Sequence, residues 1–383
     1  MVIEVMATAI IVTAKVARVI EVIRRTSEGM GAMRNMNIDI SRANSGKTQR
    51  AWRIAVAFVA SAVSVVMVAS LSACDGQVPK PAEVRSSQEL PNVTMLQEKD
   101  IRLGLLRALE QANDEKNINA LQHVVSGPAL DVRTSELTIA SKTGKLDPKT
   151  VIPREAAQTI VPTNAAWPRD LMTITTTTKD QQSKRLLVLR QQRARSNYKL
   201  WAVARLFPGV HLPKFAVPSI GSLMGKVNDT GLVMTPEEAV TAYADVLQHG
   251  NESKYAKYFA DDYLRQKLSE LSKAVQVGME RNKGSQEQVF TPELQQISVM
   301  RSSDGSDLVV ARINSVWTRA AGEGRESRPA SDEEKALFGD NKAKSTMRVT
   351  YVNVIALVVP PAGSHMKITP VGAERQPIKV EAL

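Results

Sequence analysis

Residues 235–250 read TPEEAVTAYADVLQHG, and this stretch decides how the rest of the chain is parsed. Thr235 serves as N-cap, Pro236 suits a first turn where its missing N–H is not needed, and Glu238 completes a capping box. Val240, Tyr243, Ala244 and Leu247 then recur on one helical face until Gly250 stops the helix. Tyr255, Tyr258 and Phe259 are expected on a second helix, and Asp262 to Met279 on a long third. Strands follow over Leu294 to Arg301, Leu308 to Arg319, Met347 to Val359 and His365 to Val371, with Ser331 capping a short helix in a loop. Helices first and antiparallel strands after predict an α+β unit with its helices packed on one curved sheet.

The same order is read upstream. Leu105, Leu106, Leu109 and Ala112 share a helical face, Asn113 to Lys116 break it, and Leu121, Val124 and Val125 point inward on a second helix ended by Gly127-Pro128. A short strand is expected at Leu137 to Ala140, then strands over Asp170 to Thr178, Arg185 to Gln192 and Tyr198 to Leu206, with a polar turn at Asp180-Gln181-Gln182. A shift of 134 residues sets Leu105 on Ala239, Leu109 on Tyr243, Val125 on Phe259 and Ser135-Glu136-Leu137 on Ser269-Glu270-Leu271. The expectation is two tandem α+β domains, 99–206 and 234–375, separated by a Pro- and Gly-marked linker at 207–233 and closed by a tail at 376–383.

The leader has a different character. Lys47, Arg50 and Arg53 precede an uncharged apolar run from Ile54, about as long as a signal-peptide core. It ends in Leu71-Ser72-Ala73-Cys74, which resembles the lipobox of bacterial lipoproteins. That resemblance implies a diacylglyceryl group on the Cys74 thiol, cleavage just before it, and two acyl chains for durable attachment. Cys74 is the single cysteine of the 383 residues, so no internal disulfide forms. Residues 36–73 are therefore expected to be a lipoprotein signal peptide and 74–98 a flexible tether carrying Pro79, Pro81 and Pro91. Residues 1–35 sit awkwardly ahead of such a signal and are expected to be a non-native extension, with translation starting at Met30, Met33 or Met36.

Further resemblances attach to these features. Helices followed by a bent antiparallel sheet resemble the nuclear-transport-factor-2-like (cystatin-like) fold. The lipobox, Trp167-Pro168-Arg169, Lys199-Leu200-Trp201, Thr235 to Ala239 and Pro360-Pro361-Ala362-Gly363-Ser364, in that order, resemble a group of uncharacterised actinobacterial membrane lipoproteins. That group implies a fold and a location and carries no agreed activity.

Composition narrows the chemistry. The chain's net charge is +11, of which the leader to Ala73 holds +5, leaving a mildly basic +6 beyond it. That charge suits anionic lipid or an anionic wall polymer, while aromatics at 4% lack the stacking platforms of a nucleic-acid binder. His123, His211, His249 and His365 are scattered with no thiolate cluster, so no metal or other cofactor is expected. Ser45-Gly46-Lys47-Thr48 lacks the first glycine of a phosphate loop, and no GxSxG elbow occurs.

Two candidate groups remain. Tyr258, Asp262 and Tyr263, beside Asp261, are candidates for a polar pocket, against the plainer reading in which Asp262 caps a helix. Asp131 and Asp170 are weaker counterparts in the first block. Lys184, Arg185, Arg190, Arg193, Arg195 and Lys199 are candidates for contact with an anionic surface, against a charged rim that guards a sheet edge.

The function read from all this is a lipid-anchored protein of the extracytoplasmic face of the cell membrane. It is non-catalytic and binds an envelope protein, polymer or small ligand. The alternative is a pocket enzyme of isomerase or hydrolase type, and a transporter's substrate-binding lipoprotein is disfavoured by the scarcity of helices between strands. Changing Cys74 to Ala is expected to abolish palmitate incorporation in a labelling experiment, and unchanged labelling would remove the anchor from the account.

Overall fold

Two capping boxes open the two halves of the fold. In a computed structural model, which describes residues 90–177 and 183–383, the backbone N–H of Thr94 donates to Gln97 Oε1 at 2.8 Å and Gln97 N–H donates back to Thr94 Oγ1 at 3.2 Å. Thr235 and Glu238 repeat the exchange at 3.0 and 3.2 Å. Each box satisfies two of the backbone N–H groups that a helix start leaves without partners. The first opens α1 (Met95–Asp114) and the second α4 (Pro236–His249). Residues 95–98, expected in the tether, are thus already helical.

After α1 come α2 (Ile118–Val124) and α3 (Gly127–Thr143), then β1 (Ala156–Ile160), β2 (Arg169–Thr175), β3 (Arg185–Gln191) and β4 (Lys199–Leu206). After α4 come two 3₁₀ turns (Gly250–Glu252 and Ala256–Tyr258), α5 (Tyr263–Arg281), β5 (Ser285–Arg301), β6 (Asp307–Ala320), α6 (Asp332–Phe338), β7 (Thr346–Val359) and β8 (Thr369–Ala382). Several expectations are corrected. Gly127-Pro128 starts a helix, with Pro128 in its first turn, and Leu137 to Ala140 lie within that helix. β1 was not foreseen. The expected second helix around Tyr255 is only 3₁₀ turns, and the expected tail 376–383 is mostly strand, since β8 runs on to Ala382. The turn at 180–182, the leader and Cys74 lie outside the described residues.

All eight strands belong to one antiparallel sheet in the order β1-β2-β3-β4-β8-β7-β6-β5. The protein is therefore α+β, with six α-helices among the described residues. The halves meet at β4 and β8 through two residue pairs, Arg205↔Ala373 and Leu206↔Gly372. A Cβ on Gly372 would stand 2.7 Å from the Arg205 carbonyl oxygen, so glycine permits the close approach of the two backbones.

The sheet curls until its far ends meet. Ser298 on β5 donates to Asp170 on β2 at 2.6 Å, although these strands lie near opposite ends of the strand order. The segment expected as a linker closes the seam: Ser222 bridges to Pro162 beyond β1, and Met224 bridges to Met300 on β5. Arg85–Leu383 forms one compact unit. Its shared core joins Met172, Leu186 and Val188 to Met300, Leu308 and Val352. Leu106, Leu109 and Leu187 anchor the α1–α3 side, and Tyr243, Val309 and Ile355 the α4–α5 side. Each fully buried aliphatic side chain of this kind contributes roughly 1.5–3 kcal/mol.

One buried ion pair ties the curl. Arg190 donates from Nε and Nη2 to the fully buried Asp170 at 2.7 and 2.6 Å, and its guanidinium stacks 3.9 Å from the Trp201 ring centroid. Removing one member of such a pair strands a buried charge. Arg190→Met is expected to lower unfolding stability by about 3–5 kcal/mol, with part recovered on adding Asp170→Asn, as read from urea midpoints.

Candidate functional site

The tyrosine–aspartate group does not converge on a pocket. Asp262 is buried and caps α5, its Oδ1 accepting from Arg265 N–H at 2.9 Å and from the Tyr243 hydroxyl at 3.1 Å. Burial pushes the Asp262 carboxyl up, opposed by its hydrogen bond from the Arg265 backbone, and pushes the Tyr243 phenol well up. Tyr258 and Tyr263 are exposed, and only Tyr263 lines a groove, beside Phe207 and Arg375. Asp261 is exposed and pairs with Arg265, and Asp131 pairs across the halves with Arg312 at 2.5 Å.

The basic run is not one surface either. Arg185 is buried and donates to the Lys149 carbonyl at 3.0 Å. Arg190 is committed to Asp170, and Lys199 donates to the Gln122 carbonyl at 2.6 Å. Of the six, Lys184, Arg193 and Arg195 are fully exposed, with Lys184 at one end of β3 and the two arginines in the loop beyond the other. β3 is covered on both faces from Arg185 to Leu189, so the cations on the strand are drawn inward as partners while those beyond its ends stay exposed.

A more highly charged cleft lies elsewhere. A space of about 760 Å³ opens between the C-terminal half of α3, the turn at Lys145–Lys149, and α6. Its floor is Glu136 and Gln376, both buried. Lys149 spans one wall, 3.1 Å from Glu333 and 3.4 Å from Asp147. Burial works against the charge of that ammonium, but the two carboxylates outweigh it and hold its pKa above the ordinary lysine value.

Beneath the cleft lies a buried ionic layer. Glu136 Oε2 is 3.1 Å from Arg133 Nη1, while Arg133 Nη2 donates to the Thr150 carbonyl at 3.1 Å. Glu374 on β8 takes Arg205 in a two-point contact at 2.8 and 3.1 Å. Burial raises the Glu136 carboxyl against the pull of Arg133. It raises Glu374 to about 7, with Arg205 opposing and the Glu136 carboxylate adding to the rise. The cavity at Glu374 is about 20 Å³, room for one water.

A second concavity, of about 700 Å³, lies between α1 and the β3–β4 loop. Val93, Ile101, Leu105 and Val124 give it apolar walls, and Trp167, Arg169 and Tyr198 border it. Arg169 stacks 4.0 Å from the Trp167 ring centroid. The Tyr198 hydroxyl is buried without a hydrogen-bond partner, and burial raises its pKa. Trp167 at this groove is 40% exposed, and Leu90, Met95 and Leu96, in and just before the first turn of α1, are 78, 51 and 69% exposed, large values for apolar side chains.

A family described as Domain of unknown function (DUF8094) matches residues 106–377, from within α1 to within β8. The chain belongs to that family. The match spans both halves of the sheet and the α3–α6 cleft, and covers only part of the second concavity, whose α1 wall lies before residue 106. No curated protein and no solved structure matches the chain. Among the described residues no group of three or more His, Cys, Asp or Glu is arranged to hold a metal ion, and no helix is long and apolar enough to cross a membrane.

In this family member the ionic layer of Glu136, Glu374 and Gln376 escaped sequence reading. Glu136 sits on α3, whose buried face mixes Arg133, Ser135 and Glu136 with Val132 and Leu137, so no apolar stripe marked the helix. Because Glu374 is held above the usual carboxylate value of about 4.3, the folded state binds a proton that the unfolded state releases. Its contribution to stability is present below that value and is lost as pH rises towards 7. Glu374→Gln is expected to flatten the fall of unfolding free energy between about pH 4.5 and 7, measured by urea unfolding across that window.

Proposed function

We propose that this chain is a lipid-anchored protein of the cell envelope, held on the extracytoplasmic face of the cell membrane through Cys74, and that it acts by binding rather than by catalysis. The observation that carries this reading is where the sticky surface lies. Leu90, Met95 and Leu96 are exposed where the chain enters the fold, and the exposed Trp167, with Arg169 stacked on it, lines the same groove as Asn92 and Val93, with Arg193 and Arg195 in the adjoining loop. Tryptophan and arginine beside exposed aliphatic groups suit the boundary between headgroups and water. From Cys74 to Leu90 the chain reaches at most roughly 58 Å, which keeps this end of the fold near a bilayer that holds the acyl chains.

The mild positive charge adds attraction to anionic lipid or to an anionic wall polymer, and an envelope protein remains a partner class for the exposed groove. The enzymatic alternative gains little. Glu374 has the pKa of a general acid–base group, but its cavity admits no substrate.

We also read the two halves as tandem copies of one α+β unit, of the nuclear-transport-factor-2-like kind. Each runs through helical segments to four antiparallel strands, and the fourth strands pair with each other antiparallel. That arrangement is what a two-fold relation between copies would produce.

Arg85–Leu383 has its own cores and can be tested without its anchor. It is expected to sediment with phosphatidylglycerol-containing vesicles, to bind pure phosphatidylcholine far more weakly, and to detach in high salt. Trp167→Ala with Arg193→Glu and Arg195→Glu should weaken binding at least tenfold, since each cation near such a surface is worth about 1 kcal/mol. Equal binding by the variant would refute the surface assignment.

A further inference from the structure

We infer that the cleft between α3 and α6 is a binding site for a small zwitterionic ligand, its ammonium group seated on Glu136 and Gln376 and its carboxylate turned to Lys142 and Lys145. This goes beyond the membrane-facing role and does not depend on it.

The floor presents acceptors that the fold leaves unused. Gln376 is 1% exposed, and its Oε1 has no hydrogen-bond partner. Its amide cannot turn to hide that oxygen. Ser135 donates its hydroxyl to the Pro377 carbonyl at 2.5 Å, so Ser135 Oγ can only accept, and it takes the Gln376 amide nitrogen at 3.3 Å. Glu136 is 7% exposed, and its Oε2 also lacks a hydrogen bond, although Arg133 Nη1 lies 3.1 Å away outside hydrogen-bonding geometry. Leaving buried acceptors unmet destabilises a fold, so each calls for a donor. Both residues line the cleft, which makes its floor the place where a donor would be taken up.

Charge sets the ligand's character. Four carboxylates (Glu136, Asp147, Asp332 and Glu333) and four ammonium groups (Lys142, Lys145, Lys149 and Lys335) line the cleft, giving a net charge of zero. A simple anion or a simple cation would leave half of these groups opposed to it. The groups are also sorted. Lys149 is held by Glu333 and Asp147, and Lys335 by Asp332 at 2.9 Å, whereas Lys142 and Lys145 have no carboxylate within ion-pair distance. The cations without an ionic partner among the described residues therefore lie at the C-terminal end of α3, while the floor offers Glu136, whose Oε2 has Arg133 as an ionic neighbour but no hydrogen bond. Ile139 and Ala336 supply apolar wall between the two. A free amino acid or the backbone ends of a short peptide have this pattern, and about 760 Å³ holds either.

The probe is L-alanyl-L-alanine, titrated into Arg85–Leu383 by calorimetry and by amide chemical-shift mapping. The dipeptide is expected to bind and to shift resonances of α3 and α6. N-acetylation, which removes the ammonium, should weaken it at least tenfold, and C-terminal amidation severalfold. Glu136→Gln also removes the ionic neighbour of the buried Arg133 and is expected to lower the thermal midpoint, so its binding is measured on protein whose amide spectrum shows the native fold, where it should reproduce the loss seen with the acetylated probe. Lys142→Ala with Lys145→Ala, both on the surface, should erase only the distinction between free and amidated forms. Binding indifferent to acetylation or to Glu136→Gln, binding of inorganic phosphate in place of the dipeptide, or no response to any probe at millimolar concentration would overturn the inference. A failure here leaves vesicle binding untouched, since the two surfaces share no residue.

Discussion

Continuity between the halves of this protein rests on the two residue pairs that join β4 to β8. Within each half, neighbouring strands are hydrogen-bonded along much longer registers, up to fourteen pairs between β6 and β7. Across the middle the ladder is short, and it exists because Gly372 lets two backbones approach where any side chain would meet the Arg205 carbonyl. Everything else compensates for that narrow join. The curl brings β5 to β2, residues 222–224 fill the seam, and α3 lies across β4, β7 and β8. Closing the seam also hides two sheet edges that would otherwise offer unpaired N–H and C=O groups to another chain.

Several ties across the curl are polar or ionic. Asp170 with Arg190 and Ser298, Asp131 with Arg312, and Ser135 with Pro377 and Gln376 all connect the first half to the second or anchor the curl. A second buried network, Arg319 and Tyr351 around Glu334, fixes α6 to the sheet. Buried pairs of this kind add little net stability compared with apolar replacements, but they penalise any wrong register heavily. For a sheet whose halves share so short a ladder, that directional penalty helps to select one closed arrangement. The same polarity leaves unmet acceptors at the floor of the α3–α6 cleft.

Much of the fold was legible in the sequence, for identifiable reasons. The Thr235 capping box, the apolar face of α4 and the β-branched runs of β6 and β7 are local signals, and the elements lie where those signals put them. α3 was lost because its inward face is half polar and because Gly127-Pro128 can end one helix or begin the next. β1 is only five residues long, and its burial is confined to Thr159 and Ile160. The site was harder to read. Glu136, Gln376 and Lys149 are drawn from three distant segments, and nothing in their neighbours' spacing announces that they meet. The basic run around β3 misled for the converse reason, since closeness in sequence placed Arg185 and Arg190 on a strand whose two faces are both covered.

The strand order has a consequence for how the molecule comes into being. β8 follows every other strand along the chain, yet it occupies the middle of the sheet, between β4 and β7. A polypeptide delivered amino end first therefore exposes two separate half-sheets, each with a raw inner border, until its latest strand arrives to zip them together. During that interval the α3 surface that will rest on β8 stays wet, and neither the closed seam nor the α3–α6 cleft exists. Completion of this fold is gated by the arrival of one late segment, and chaperone contacts with the waiting borders would act in that window.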